Sequence, residues 1–196
     1  MTNSHYDGFS EYMEHLGGLS RKETDKLMKL FSYKRLKKNE HFLKAGEPMQ
    51  YVGFHISGAF RYYYLDFEGN DITKFFVVDH DFILSLSAFI DRSPSLFSIE
   101  AIADSELLLA PVQSLYEIMD SSPFWMRMYT HILEKTYVIK EKREAEFLLY
   151  DAKTRYKRFI EEYPEVLMKA RQHHIASYLG IAPESLSRIR SQMEKP

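Results

Sequence analysis

Tyr51-Val-Gly-Phe-His-Ile-Ser-Gly-Ala-Phe-Arg-Tyr-Tyr-Tyr-Leu65 decides what kind of chain this is. Residues alternate along Tyr51–Ile56, Ser57-Gly58 turns the chain, and a second extended run follows from Ala59 to Leu65. Asp66-Phe-Glu-Gly69-Asn70 is another turn, leading into Ile72-Thr-Lys-Phe-Phe-Val-Val78. Leu96–Ala103 and Glu106–Ala110 repeat the pattern downstream. Gly46, Gly58 and Gly69 stand where tight turns need a positive φ. Short strands broken by turn signals every 8–12 residues, over about 33–112, predict a β-barrel or jelly roll.

On either side the period is helical. Leu19–Phe31 reads as a helix, with Ser20 as cap, Glu23 as its capping-box partner, and Leu27, Leu30 and Phe31 at helical spacing. From Pro111, placed at a helix N1 position, Leu115, Ile118 and Met119 share one face. Pro123 opens a longer helix to about Tyr150. Trp125, Met128/Tyr129, Ile132, Thr136 and Ile139 recur on it at steps of three and four, running on through Arg143 and Glu146. A seam of that length usually packs against another helix, so a parallel two-fold dimer is expected, with the barrel as the other surface it can cover. Short helices then follow at Ala152–Glu162 and about Glu165–Met168. The expected fold is α+β: a barrel with flanking helices over 1–122, a dimerisation helix over 123–150, and a helix-turn-helix domain over 151–196.

His173-His-Ile-Ala-Ser-Tyr-Leu-Gly-Ile-Ala-Pro-Glu-Ser-Leu-Ser-Arg-Ile-Arg-Ser-Gln-Met193 carries the function. Ala176 is small enough for two helices to cross, and Gly180 ends the first helix in a left-handed conformation. Ile181 plugs the turn, Pro183 opens the second helix, and Leu186 and Ile189 face inward. The outer face is left with Glu184, Ser185, Ser187, Arg188 and Arg190 or Gln192. In a major groove Arg188 can donate to guanine O6 and N7, and Glu184 can accept from cytosine N4. Ser185, Ser187 and Arg190 suit phosphates. The competing reading pairs Glu184 with Arg188 in an i,i+4 ion pair.

Composition limits the alternatives. The 196 residues are 45% apolar and include no cysteine. That excludes general disorder, disulfides, thiolate zinc, cysteine-held iron–sulfur clusters and cysteine nucleophiles. The net charge of −2 hides an asymmetry: residues 151–196 hold nine Lys and Arg against six Asp and Glu, and the remainder sums to −5. Local positive charge is what phosphate binding needs. No apolar run approaches the roughly 18–20 residues of a membrane span, and Met1–Ser10 has no signal-peptide core, so a cytoplasmic location is expected. His41, His55 and His80 form no metal-ligand group, which argues against a cupin-type enzyme. His173 and His174 point to different helix faces, as phosphate contacts or plain surface. No catalytic residue, metal or cofactor is expected.

The order of elements, nearly from end to end, resembles the Crp/Fnr superfamily of bacterial regulators. Gly46-Glu47 with Tyr51–Gly58 is similar to that family's first barrel hairpin, and Ile175–Ile189 to its recognition unit. Glu184 and Arg188 match two of the family's base-reading positions, whereas Pro183 occupies a third and cannot donate, so the resemblance implies a different DNA site. The family's β-wing has no counterpart before Pro196, which implies fewer phosphate contacts. Cyclic nucleotide receptors of this type hold the ribose with a Gly-Glu pair and the phosphate with an Arg-Ser pair. Here Leu84-Ser85 and Ser95-Leu96 stand in those places, and a buried phosphate would lack its counter-charge. Arg92 lies nearby on a turn. The usual cassette is therefore not expected to bind cyclic AMP, and Arg61, Ser85, Ser87, Ser95 and Lys140 are the candidates for an effector pocket. The expected partners are double-stranded DNA and a second copy of the chain, with RNA polymerase and a small-molecule effector as further candidates, and no membrane. The competing function is a small-molecule module that signals through protein contacts.

Overall fold

The computed structural model describes residues 4–16, 26–78, 80–119 and 123–193. Its β portion consists of β1 (Ser32–Leu36), β2 (His41–Leu43), β3 (Tyr51–Ser57), β4 (Phe60–Leu65), β5 (Asp71–Val77), β6 (Phe82–Ile83), β7 (Ser98–Ala101) and β8 (Ser105–Pro111). They form two four-stranded antiparallel sheets, ordered β1-β8-β3-β6 and β2-β7-β4-β5, a jelly-roll arrangement rather than a closed barrel. Ser57-Gly58 therefore does not close a hairpin: it carries the chain from the first sheet into the second. Gly58 has φ +98°, and a Cβ there would stand 2.6 Å from the Ser105 Cα, so this corner requires glycine. The true hairpin is β4–β5, pairing Phe60 with Val77 and Leu65 with Asp71. Its turn is held by the Asp66 carboxylate, which accepts from the Glu68 and Asn70 amides at 2.9 and 2.8 Å.

The helices are α1 (Asp7–Leu16), α2 (Leu86–Asp91), α3 (Val112–Met119), α4 (Pro123–Leu149), α5 (Ala152–Glu162), α6 (Pro164–Lys169), α7 (Gln172–Leu179) and α8 (Pro183–Met193). Two local expectations are corrected, and one element is added. Pro111 is the last residue of β8, opposite Tyr51, and the helix opens after it. The strand expected over Leu96–Ala103 is the shorter β7, because Ser95 and Phe97 are engaged in a local turn in which the Ser95 hydroxyl donates to the Phe97 carbonyl. A helix was not foreseen at the N-terminus, yet α1 buries Phe9 and Met13, one turn apart, against Phe31, Phe54 and Phe82. Of the helix expected over Leu19–Phe31, Lys26–Met28 are helical; its Ser20 and Glu23 cap lies outside the described residues.

Three apolar clusters hold the molecule together. One fills the sandwich, with Phe60, Ile83, Ile99 and Leu107 fully buried. A second covers the outer face of the first sheet with α1, α3 and the start of α4. Each fully buried Phe or Leu contributes roughly 1.5–3 kcal/mol, so these faces fix the helices in place.

The second cluster also bears on the reading of α4. Its sequence seam is the face turned to the sandwich: Trp125 is buried, Met128, Tyr129 and Ile132 pack beside it, and Thr136, Ile139 and Arg143 continue along a cavity. The face turned away leaves Met126, Tyr137 and Leu148 at 52%, 67% and 76% exposure. Those residues are open to a second chain.

The third cluster joins the ends of the chain. Phe76 of β5 packs among Phe159, Tyr163 and Tyr178, with ring centroids 6.1, 6.4 and 5.5 Å away. Val166, Ile175, Ala176 and Leu186 complete it. The C-terminal helices thus share a core with the outer side of β5.

Candidate functional site

The helix-turn-helix is built from α7 and α8. Gly180 follows α7 at φ +66°, its amide donating to the Ser177 carbonyl and the Ile181 amide to that of Ala176, the two bonds of a Schellman ending. Arg155 of α5 reinforces the same helix end by donating to the Leu179 carbonyl at 3.1 and 3.2 Å. Ala176 is fully buried at the crossing, Pro183 is the first residue of α8, and Leu186 faces the core at 1% exposure. The turn is fixed by local chemistry, so the aim of α8 is fixed with it.

Glu184, Ser187 and Arg188 are all exposed, with Ser191 one turn further on the same face. Among the described residues no ion pair joins Glu184 to Arg188, so both heads are open to solvent. Ser185 and Arg190 are half-buried and flank that face. His174, expected as surface or a phosphate contact, is instead buried, and only His173 of the pair is exposed.

Sequence reasoning missed how α7 is seated. β5 is an edge strand, whose free amides need partners. The Ser177 hydroxyl supplies one, accepting from the Thr73 amide at 2.9 Å. Beneath it Arg61, 2% exposed, donates through Nη1 and Nη2 to Asp71 at 2.7 and 3.1 Å and through Nε to Glu100 at 2.8 Å. The guanidinium holds the Asp71 carboxyl below its usual range. His174 Nε2 lies 4.0 Å from the same carboxylate, and burial pushes its pKa down to about 3. The available signal was Phe75-Phe76-Val77-Val78, a continuous apolar run typical of a strand covered on both faces.

A cavity of about 130 Å³ lies between the sandwich and α4. Its walls are apolar at Tyr62, Phe75, Phe82, Leu84, Leu86, Phe97, Ile132 and Ile139, and its polar groups are Lys74, Asp81, Lys135, Thr136, Lys140 and Arg143. Of the five effector candidates, Lys140 lines it. Arg61 is engaged in the β4–β5 network, Ser95 is bonded to Phe97, and neither Ser85 nor Ser87 is on the wall. Arg92 is turned to Tyr116, with its guanidinium 4.5 Å from the ring centre. Arg143 connects the cavity to the helix-turn-helix, stacking on Tyr178 at 3.7 Å and donating to its carbonyl at 2.5 Å. No group of three or more potential metal ligands occurs among the described residues, and none of their helices is long and apolar enough to cross a membrane.

Residues 33–122 match the family model described as a cyclic nucleotide-binding domain. No curated protein matches the sequence. Among solved structures, the chain resembles FixK2 from Bradyrhizobium japonicum with a TM-score of 0.72 at 24% identity, covering 83% of this chain and 84% of that one. A transcriptional regulator assigned to the Crp/Fnr family from Eubacterium rectale gives 0.73 at 18% identity, over 98% and 88%. The catabolite activator protein of Thermus thermophilus gives 0.56 at 18%, over 91% and 85%. At these identities the likeness is one of fold. Residues 33–122 thus resemble a cyclic nucleotide-binding domain in sequence, and the chain as a whole has the fold seen in the Crp/Fnr regulators.

Proposed function

We propose that the chain is a DNA-binding transcription regulator that works as a homodimer, with a sensor over 1–122, a dimerisation helix over 123–150 and a DNA-binding domain over 151–196. The observation that carries this reading is the outer face of α8, where Glu184, Ser187 and Arg188 stand exposed and unpaired on a helix aimed by a fixed turn. Arg188 reads a guanine and Glu184 a cytosine, while Ser185, Ser187 and Arg190 hold phosphates. Two copies associate through the outer face of α4, which sets their recognition helices about 34–36 Å apart, one turn of DNA. RNA polymerase is a further candidate partner. The sensor acts without the usual cyclic nucleotide cassette, because neither Ser85 nor Ser95 can supply a phosphate counter-charge and Arg92 is turned toward Tyr116.

Fluorescence anisotropy on promoter fragments at two salt concentrations tests the proposal. Binding that weakens steeply with salt is expected, since released counterions drive phosphate contacts. Absent or salt-independent binding on every fragment would refute it.

A further inference from the structure

The cavity beside α4 is apolar, yet its charges do not balance. Asp81 is taken by Lys135 at 2.7 Å. Arg143 is committed to the Tyr178 ring and carbonyl. Lys74 and Lys140 remain, and among the described residues neither has a carboxylate partner. The Lys74 ammonium lies 3.9 Å from the centre of the Phe97 ring, and burial, with Lys140 close by, pushes its pKa down to about 8. A half-buried ammonium facing a second one is costly unless an anion joins them. The space continues away from these lysines. Phe82, Leu84, Leu86 and Ile132 also wall a smaller apolar pocket that ends at Trp125 and Met128. At one end the path is cationic, and at the other it is greasy. Pockets for drug-sized ligands run to roughly 300–1,000 Å³, and this one, at about 130 Å³, is small by that measure.

We infer that this cavity takes a medium-chain aliphatic carboxylate, with its head between Lys74 and Lys140 and its tail directed past Leu84 and Ile132 toward Trp125. The carboxylate neutralises two crowded ammonium groups, and the tail fills apolar space that water occupies poorly. The inference deepens the sensor reading by naming the ligand's class, and it rests on that reading only for the ligand's consequence at the DNA.

Trp125 is the only tryptophan in the chain, so its emission reports the tail end of the path. Full-length protein is titrated with octanoate, 1-octanol and cyclic AMP, following Trp125 fluorescence, with calorimetry on the same samples in case the indole does not respond. A saturable response to octanoate is expected, with 1-octanol binding at least tenfold more weakly because it lacks the charge. Lys74→Met and Lys140→Met should each weaken octanoate at least tenfold, and Lys74→Arg should restore most of the affinity. Lys140 is exposed, so its substitution tests the head site even if the Lys74→Met protein does not fold. Equal affinity for octanoate and octanol, no loss in the lysine variants, tighter binding of cyclic AMP, or no binding of octanoate at all would each overturn the inference. DNA binding by the unliganded protein is measured on the same preparation. Failure of the titration with DNA binding intact removes the carboxylate and leaves the regulator.

Discussion

Replacing Arg61 by Met removes one buried cation and strands two acids. Arg61 is almost fully enclosed, and its guanidinium makes four donations: two to Asp71, one to Glu100 and one to the Thr73 hydroxyl at 3.2 Å. It also stacks on Tyr63, 4.2 Å from the ring centre. Breaking a buried pair by deleting one partner costs about 3–5 kcal/mol, because the other charge stays buried. The Glu100 side chain is 13% exposed, with only His41 Nε2 left beside it at 3.9 Å, and bears more of that cost than Asp71, which at 32% can partly rehydrate. The lower end, about 3 kcal/mol, is therefore expected. Urea unfolding followed by circular dichroism should show the midpoint fall by about 1.5 M at an unchanged slope of about 2 kcal/mol/M. The triple variant Arg61→Met, Asp71→Asn, Glu100→Gln should recover much of the loss, since no charge is then left uncompensated. The acid limb should change too. With Arg61 present the Asp71 carboxyl is held low, so its stabilisation is present above the unfolded pKa and lost as pH falls through the folded one. In Arg61→Met that loss should vanish. A shift below about 0.5 kcal/mol, the size of an ordinary surface change, would show that the network does not hold β4, β5 and β7 together.

Three other perturbations probe separate links. Gly180→Ala places a Cβ at φ +66° and 2.6 Å from the Phe147 Cε1, so about 1–2 kcal/mol of stability and several-fold in DNA affinity should be lost, with Gly180→Asn costing less; calorimetric melting checks the first and anisotropy the second. His174 titrates near 3 when folded and near 6.5 when unfolded, so its contribution is complete above pH 6.5 and falls as pH drops toward 3. Wild type should therefore lose about 2 kcal/mol more than His174→Gln between pH 7 and 5, as read from urea midpoints. Tyr137→Glu combined with Leu148→Glu places charge on the outer face of α4, and sedimentation should show dimer association weakened at least a hundredfold, about 2.7 kcal/mol. An unchanged sedimentation profile would place the interface elsewhere.

Period and punctuation made much of the fold legible. Alternation over Tyr51–Leu65 and Ile72–Val78, and helical spacing from Trp125 to Ile139, depend on neighbours along the chain, and the strands and α4 stand where those patterns are. Gly180 and Pro183 were equally readable, since a left-handed cap and a missing amide act locally. What an element packs against was not readable. The seam of α4 suits a partner helix or a sheet equally, because apolar burial has no direction, and here the sheet and cavity take it. The Ser57-Gly58 turn suits a hairpin or a corner; Ser105, 47 residues on, decides for the corner. Arg61 looked like a ligand residue because a lone arginine on a strand carries no mark of its acids, and Asp71 and Glu100 come from two other strands. Lys74 was overlooked for the same reason. Its position opposite Lys140 depends on how α4 lies against β5, which no local pattern states.

The central claim is that α8 reads DNA sequence as one of a pair. The most direct test is selection of bound sites from a random duplex pool by the wild-type protein and by Arg188→Ala. The wild type should enrich a palindrome with half-sites about 10 base pairs apart, each carrying a guanine that Arg188→Ala no longer demands while general DNA affinity persists. No enriched sequence with wild type, or the same enriched site with Arg188→Ala, would contradict the account.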